Sequence, residues 1–356
     1  MSPAPLTRRS VLSSSLGLGE KLFASSDERK FADAIEVGLA EVEAGLLNEM
    51  QFADGLADVT ARYLLEAGGK RVRPVLTLLT AQLGEGNNPD VIAAARAVEI
   101  THLASLYHDD VMDVAEMRRG VPSAQAVWGN SVAIITGDLL FARASRIIAG
   151  LGERALTLQS DTFERLCLGQ LHETIGPRDD EDPIEHYLQV LADKTGSLIS
   201  TAAEVGVIFS NADQELIQPL RTFGEKVGVA FQLIDDIIDL SSEVETTGKQ
   251  AGTDLRSGVA TLPLLFLRER SKTDLDAADL LTRLERDLNA EFYGEGDEAD
   301  LIDAIAELRA HPVTEQTLEE ARRWARDAVT ALDPLPEGPV KKALTRFAQT
   351  IVERSG

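Results

Sequence analysis

From Phe31 onward, apolar side chains recur at three- and four-residue intervals, with Phe31, Ile35, Leu39, Val42, Leu46 and Leu47 marking one face of a first helix. Comparable patterns continue to the C-terminus, and period-two alternation of the kind a strand needs is hard to find. Clusters of Gly, Pro and polar residues interrupt the periodicity at Gly68-Gly69, Gly84 to Pro89, Gly120 to Pro122, Gly176 to Pro183, Thr246 to Gly258, Gly294 to Glu298 and Asp333 to Pro339. No break has the length of a flexible linker and no fixed repeat appears, so residues 28–356 read as one all-α helical domain. Residues 1–27 are rich in Ser, Gly and Pro and lack sustained periodicity, which reads as a mobile N-terminal extension.

Composition supports helices: 44% of residues are hydrophobic but only 5% are aromatic, and abundant Ala and Leu favour close-packed helices over sheets. The formal charge of -24 opposes non-specific binding to nucleic acid or anionic lipid. It leaves room for an anionic substrate wherever metal ions and a local group of cations reverse the field. The single cysteine, Cys167, excludes an intrachain disulfide and fits a reducing cytoplasm. Thr7-Arg8-Arg9 faintly resembles a twin-arginine signal, but the apolar stretch after it is short and ends at Glu20-Lys21, so export is not expected. No stretch approaches the ~18 apolar residues of a membrane-spanning helix.

Two segments concentrate acid on apolar helices. One carries Asp109, Asp110 and Asp113; the other repeats the spacing with Asp235, Asp236 and Asp239. The first and last Asp of each set stand four apart, on one helical face, where their charges repel unless a cation joins them. Hard oxygen ligands with room for water suit Mg²⁺, which also binds phosphate oxygens. One such pattern could be a solvated face; two on apolar helices point to metal and diphosphate.

The basic half of the site begins at Gly68-Gly-Lys70-Arg71-Val-Arg73-Pro74, where cations and free backbone N–H groups can hold a diphosphate. Arg118 and Arg119 follow the first aspartate set, and a guanidinium can make two parallel bonds to phosphate. Lys194-Thr195, Gln170 with Glu173, Gln232 and Lys249 are further candidates. Each alone reads equally well as a surface charge or a core amide.

Taken together and in this order, these residues resemble the trans-isoprenyl diphosphate synthase family, over most of residues 60–265. The resemblance rests on the two Asp-Asp-x-x-Asp motifs, the Gly-Gly-Lys-Arg-x-Arg-Pro loop, Arg118-Arg119-Gly120, Gly169-Gln170, Lys194-Thr195, Phe231-Gln232, and Gly248-Lys249 through Gly252-Thr-Asp254 to Thr261-Leu-Pro263. It implies a helical bundle around a deep central cavity, usually homodimeric. It assigns Lys70, Arg73, His102 and Arg119 to isopentenyl diphosphate, and Arg71, in the same loop, is a further substrate-binding candidate. Arg118, Lys194 and Lys249 fall to the allylic diphosphate, beneath about three Mg²⁺ ions held by Asp109, Asp113, Asp235 and Asp239. Thr195, Gln170 and Gln232 line the cavity. Where the family often has a second Lys between Gly258 and Thr261, this chain has Val259.

The implied chemistry is ionisation of an allylic diphosphate, attack by the double bond of isopentenyl diphosphate and loss of a proton. Ala104 and Ser105 lie about one turn before the first motif, where large aromatics in this family close the cavity and yield short products. A small pair resembles the long-chain enzymes and points to products of about C30 to C50, a quinone side-chain precursor; small residues chosen for helix packing are the alternative. A short-chain synthase, a class I terpene cyclase and a non-catalytic subunit of a heteromeric synthase compete. The cyclase normally mixes Asn, Ser or Thr into its second metal motif, and such a subunit should have lost part of the site. A long apolar product also implies transient contact with a bilayer.

Overall fold

A computed structural model describes residues 26–241, 251–292 and 298–353. Among them the secondary structure is helical except for one antiparallel hairpin pairing Met117–Arg118 with Val121–Pro122. The all-α expectation therefore holds, and the hairpin is the element that apolar periodicity could not announce.

The first helix, Ser26–Glu49, buries the stripe read from the sequence, with Ile35, Val42 and Leu46 at 0% exposure, but Leu47 is 44% exposed. One residue turns a helix by about 100°, which carries Leu47 off the stripe that Leu46 completes. Most of the expected interruptions are breaks between helices. Breaks at Gly129, Gly152 and Asn211 were not marked by a Gly/Pro cluster; each is a single residue at positive φ, 81°, 95° and 56° respectively, a conformation open to Gly and tolerated by Asn.

The described residues divide into two compact units. The first takes the residues up to Arg165 with Ser197–Gly224 and Ala331–Phe347; the second takes Leu166–Gly196, Glu225–Thr330 and the residues from Ala348.

In the first unit, the helix Pro89–Met112 packs along Asn130–Gly150, and Val72–Ala81 packs along Ser197–Phe209. Asn88 starts the long Pro89–Met112 helix by accepting the Val91 N–H at 2.9 Å, and Pro89 supplies the fixed φ of a first helical residue. Glycines allow both close approaches: a Cβ on Gly137 would collide with His108, and one on Gly206 would collide with Thr80. Thr77 Oγ1 also donates to the Ala202 carbonyl at 2.8 Å across the second pair. Leu64, Leu76, Leu78, Ile100 and Leu103 are fully buried, each stabilising the unit by about 1.5–3 kcal/mol relative to an exposed side chain.

The second unit gathers Leu264 and Leu267 of helix Leu262–Ser271, Leu280 and Leu284 of Leu275–Phe292, and Leu301 and Leu308 of Glu298–Ala310 into one core. Pro183–Leu191 packs on Leu262–Ser271, begins at an Asp182 cap, and runs into a π-helical turn, Ala192–Gly196. No described helix is long and apolar enough to cross a membrane.

Candidate active site

The basic loop takes its shape from crowding. Gly68 and Gly69 have φ of 103° and 145°, and a Cβ on Gly69 would lie 2.6 Å from Arg71 Nη1 and 3.0 Å from Arg119 Cζ. Only glycine lets two guanidiniums pass so close to the backbone. Arg71, at φ 50°, turns inward: Nε meets Glu43 Oε1 at 2.6 Å, Nη1 donates to the Gly68 carbonyl at 3.2 Å, and Nη2 donates to the Leu65 carbonyl at 3.2 Å. The sequence reading of Arg71 as a substrate ligand is therefore corrected. Its buried fork is committed to the protein and braces the loop. Lys70 is exposed and Arg73 half-buried, with an Arg73 Nε that has no hydrogen-bond partner.

Arg119 joins this group through the hairpin. Arg119 (φ 54°) and Gly120 (φ 78°) form its two-residue turn, the positive-φ pair that matches the twist of two short strands. Arg119 Nη1 donates to the carbonyls of Leu64, at 2.8 Å, and Gly68. Glu99, 2% exposed, is the carboxylate within the group, 3.4 Å from Arg71 Nη1. Burial raises its pKa, while Arg71, Arg73 and Arg119 oppose the rise. Burial lowers Arg73 to about 10 despite Glu99, with Arg119 adding to the fall. His102, one helical turn beyond Glu99, is pushed well below the usual histidine range by burial and then by Arg73, Arg119, Arg118 and Arg71. The imidazole is thus neutral in a field that carries surplus positive charge, and an anion entering there relieves the repulsion. Glu99 was missed as a site residue; its signal was a lone acid in an apolar stretch three residues before His102.

The first aspartate set divides its labour. Asp109 is half-buried and Asp113, the C-cap of the helix, is exposed, whereas Asp110 is fully buried. Arg118 Nε meets Asp110 Oδ1 at 2.6 Å, and Asp110 Oδ2 has no partner. Burial raises the Asp110 pKa and the Arg118 charge opposes it. Ala104 and Ser105 are both buried, and Ser105 Oγ donates back to the His102 carbonyl at 2.9 Å. A Cβ on Gly137 would lie 3.2 Å from the Ala104 carbonyl, so small residues here also serve the helix crossing.

In the second unit the same division recurs with different chemistry. Asp235 and Asp239, on the helix Ile217–Asp239, are half-buried; Asp236 is 2% exposed. Asp236 accepts from the Tyr187 hydroxyl and, at 3.4 Å, from Gln232 Nε2. Burial, with Asp254 and Asp235 adding to it, pushes Asp236 well above the carboxylate range against these two hydrogen bonds. Asp239 Oδ2 accepts the Asp254 N–H at 3.2 Å, and its carbonyl accepts the Gly252 N–H at 3.0 Å. Tyr187 is a second residue the sequence reading missed; it sits seven residues before Lys194 with no motif of its own.

Lys194 lies in the π-helical turn, and its Nζ is 2.5 Å from Glu173 Oε2, which also accepts from Gln170 Nε2 at 3.1 Å. A Cβ on Gly169 would lie 2.8 Å from the Lys194 backbone nitrogen, so glycine there seats the turn against the helix. Thr195 is half-buried in the same turn, and Gln170 Oε1 is buried without a partner. Val259 is half-buried, its N–H bonded to the Asp254 carbonyl at 2.9 Å. Lys249 lies outside the described residues.

Among the described residues, no group of three or more acids, imidazoles or thiols is gathered tightly enough to hold a metal alone. Each motif offers two hard oxygen donors at four-residue spacing and withholds the third in the protein.

A helical protein that carries two paired aspartate motifs and a cationic Gly-Gly loop has the features that define the class of isoprenoid synthases. The chain belongs to the polyprenyl synthetase family, whose model matches residues 56–291. It is 43% identical over 327 residues to a nonaprenyl diphosphate synthase of Mycobacterium tuberculosis, covering 92% of this chain and 95% of that protein. Its fold superposes on a crystal structure of a polyprenyl synthase from Caulobacter crescentus, complexed with calcium and isoprenyl diphosphate. There the TM-score is 0.82 and the identity 32%, with 92% of this chain and 98% of that chain covered. A geranylgeranyl pyrophosphate synthase from Corynebacterium glutamicum, also complexed with calcium and isoprenyl diphosphate, gives a TM-score of 0.78 at 40% identity, covering 94% and 99%.

Proposed function

We propose that this protein is a Mg²⁺-dependent trans-polyprenyl diphosphate synthase, adding isopentenyl diphosphate head-to-tail to an allylic diphosphate such as farnesyl or geranylgeranyl diphosphate. The observation that carries the reading is the division within each motif, where the outer aspartates stay accessible and the middle one is held inside. Asp109 with Asp113, and Asp235 with Asp239, would hold Mg²⁺, about three ions in all, which would supply neutralisation of the charge on the departing diphosphate. Arg118, Lys194 and Lys249 bind the allylic diphosphate, and Arg118 does so with terminal nitrogens that its Nε bond to Asp110 leaves over. Lys70, Arg73 and Arg119 hold isopentenyl diphosphate, with neutral His102 donating or accepting one hydrogen bond beside them. Thr195, Gln170 and Gln232 line the space for the allylic group. The allylic carbon–oxygen bond ionises, the isopentenyl double bond attacks that carbon, and the lost proton passes to released diphosphate. Residues 28–356 then work as one catalytic domain, since the family match spans parts of both units.

The product we assign is about C30 to C50, because Ala104 and Ser105 put no large side chain one turn before the first motif. The long-chain relative supports this length, and the geranylgeranyl relative makes the short product the competing outcome. A homodimer is the proposed assembly, the state that the family resemblance implies. Reducing cytoplasm, with transient bilayer contact at product release, is the proposed setting.

The test is incubation of the purified chain with Mg²⁺, labelled isopentenyl diphosphate and each primer, with chain-length analysis. A ladder ending between about C30 and C50 supports the reading. Products ending at C15 or C20 keep the reaction and overturn the length; no elongation with any primer overturns the synthase in favour of a cyclase or a non-catalytic subunit.

A further inference from the structure

On the helix Pro89–Met112, Asp90, Ala93 and Arg96 face a cavity of about 330 Å³, lined also by Glu49, Arg146, Ile147 and Leu151. Arg96 and Asp109 are thirteen residues apart on this helix, which separates them by about 20 Å along its axis. The cavity is therefore not part of the first aspartate motif.

Its charge is unbalanced. Glu49 is approached by Arg96 at 3.5 Å, Arg143 at 3.7 Å and Arg146 at 3.8 Å. All three separations exceed the ~2.8 Å of a charge-assisted bond, so one carboxylate is shared and no guanidinium is clamped. Arg143 is otherwise occupied, stacked 4.5 Å over the Phe52 ring with Nη2 donating to the Gln51 carbonyl at 3.4 Å. Arg96 lies flat across the first helix at Gly45, where a Cβ would collide with its Cδ. In that position its Nε is buried and has no hydrogen-bond partner. Asp90 supplies the one further acid at the rim. Two guanidiniums thus face a small cavity with one acid beyond the shared Glu49, in a protein whose net charge is -24.

We propose that this cavity is a second anion site, taking free inorganic phosphate or diphosphate between Arg96 and Arg146 while Arg143 neutralises Glu49. The paired planar terminal donors of two guanidiniums match phosphate oxygens. The site is independent of the elongation reading, because it uses none of the residues assigned to it.

The test is calorimetric titration of the full chain with inorganic diphosphate in EDTA, so that no metal contributes. The expected wild-type isotherm has two classes of site. Arg146→Gln, at a side chain 69% exposed and therefore tolerant of change, should weaken one class about ten-fold and leave elongation intact. Arg96→Gln should act on the same class, and Arg73→Gln on the other. Gly45→Ala provides a separate check, since it displaces Arg96 without removing a charge and should weaken the same class as Arg146→Gln. A wild-type isotherm in both Arg146→Gln and Arg96→Gln overturns the proposal, as does loss of all diphosphate binding in Arg73→Gln alone.

Discussion

The two aspartate motifs share a spacing and differ in how they keep the middle acid. Asp110 is buried against a full positive charge, Arg118 Nε at 2.6 Å, whereas Asp236 is buried against a phenol and an amide, Tyr187 and Gln232. Burial raises both carboxyls, but Asp236 is driven well above the carboxylate range, because the partners that oppose its burial are two neutral hydrogen-bond donors where Asp110 has the Arg118 charge. Identical sequence patterns therefore encode two different supports. In the first motif the middle aspartate anchors the hairpin that delivers Arg118 and Arg119. In the second it ties the helix Pro183–Leu191 to the helix Ile217–Asp239, just ahead of the turn that carries Lys194. What the motifs have in common is the accessible outer pair, and that pair is where function should be most sensitive.

The largest expected effect follows. Asp109→Ala and Asp235→Ala each remove one outer carboxylate without disturbing the buried one, and each should lower elongation about a thousand-fold. Single-turnover rates with labelled isopentenyl diphosphate measure this directly. If one substitution is nearly silent, the two motifs are not equivalent in binding metal and the shared role assigned to their outer pairs fails.

The next pair separates the two supports. Arg118→Gln leaves the buried Asp110 charge uncompensated and should cost about 3–5 kcal/mol. Tyr187→Phe removes one hydrogen bond from Asp236, retains Gln232, and should cost about 1–3 kcal/mol. Urea unfolding gives the ranking, and Mg²⁺ titration of activity shows whether Tyr187→Phe also raises the metal concentration for half-maximal rate. Equal costs would erase the distinction between charged and neutral support.

How far the sequence could be read depends on whether a role is written in spacing or in packing. The aspartate pairs, the helical stripes and the Gly-Gly loop are local patterns with a physical period, and each appears where the pattern places it. The hairpin was hidden because two-residue strands carry no periodicity, although Arg119-Gly120 marked a turn. Glu99 and Tyr187 were hidden because their partners lie 28 and 49 residues away, Arg71 and Asp236. Arg71 misled for the same reason: three adjacent cations look alike until Glu43 and Glu99 claim one of them. Arg71→Gln should thus cost about 2 kcal/mol of stability with little change in KM for isopentenyl diphosphate. Arg73→Gln should do the reverse, raising that KM about ten-fold. Steady-state kinetics beside unfolding curves tests the exchange, and a raised KM from Arg71→Gln alone would restore it as a ligand.

The smallest expected effect concerns His102, which has no counterpart among the described residues of the second motif's surroundings. Its folded-state pKa is pushed well below the usual histidine value by burial and four arginines, while the unfolded chain titrates near ~6.5. Below that pH the unfolded state binds a proton that the folded state refuses, so the contribution of neutral His102 is complete above about pH 6.5 and is lost as pH falls. Glu99 works in the opposite direction, since its raised folded-state pKa favours the folded state as the solution becomes more acidic. The informative quantity is therefore the difference between wild type and His102→Gln, in which the Glu99 contribution largely cancels. Between pH 6.5 and 5 the wild type should lose stability faster than the variant by at most about 1.4 kcal/mol per pH unit. Parallel stability curves for the two proteins across that range would mean that His102 takes up a proton in the folded state, and that the arginine cluster is less positive than its geometry implies.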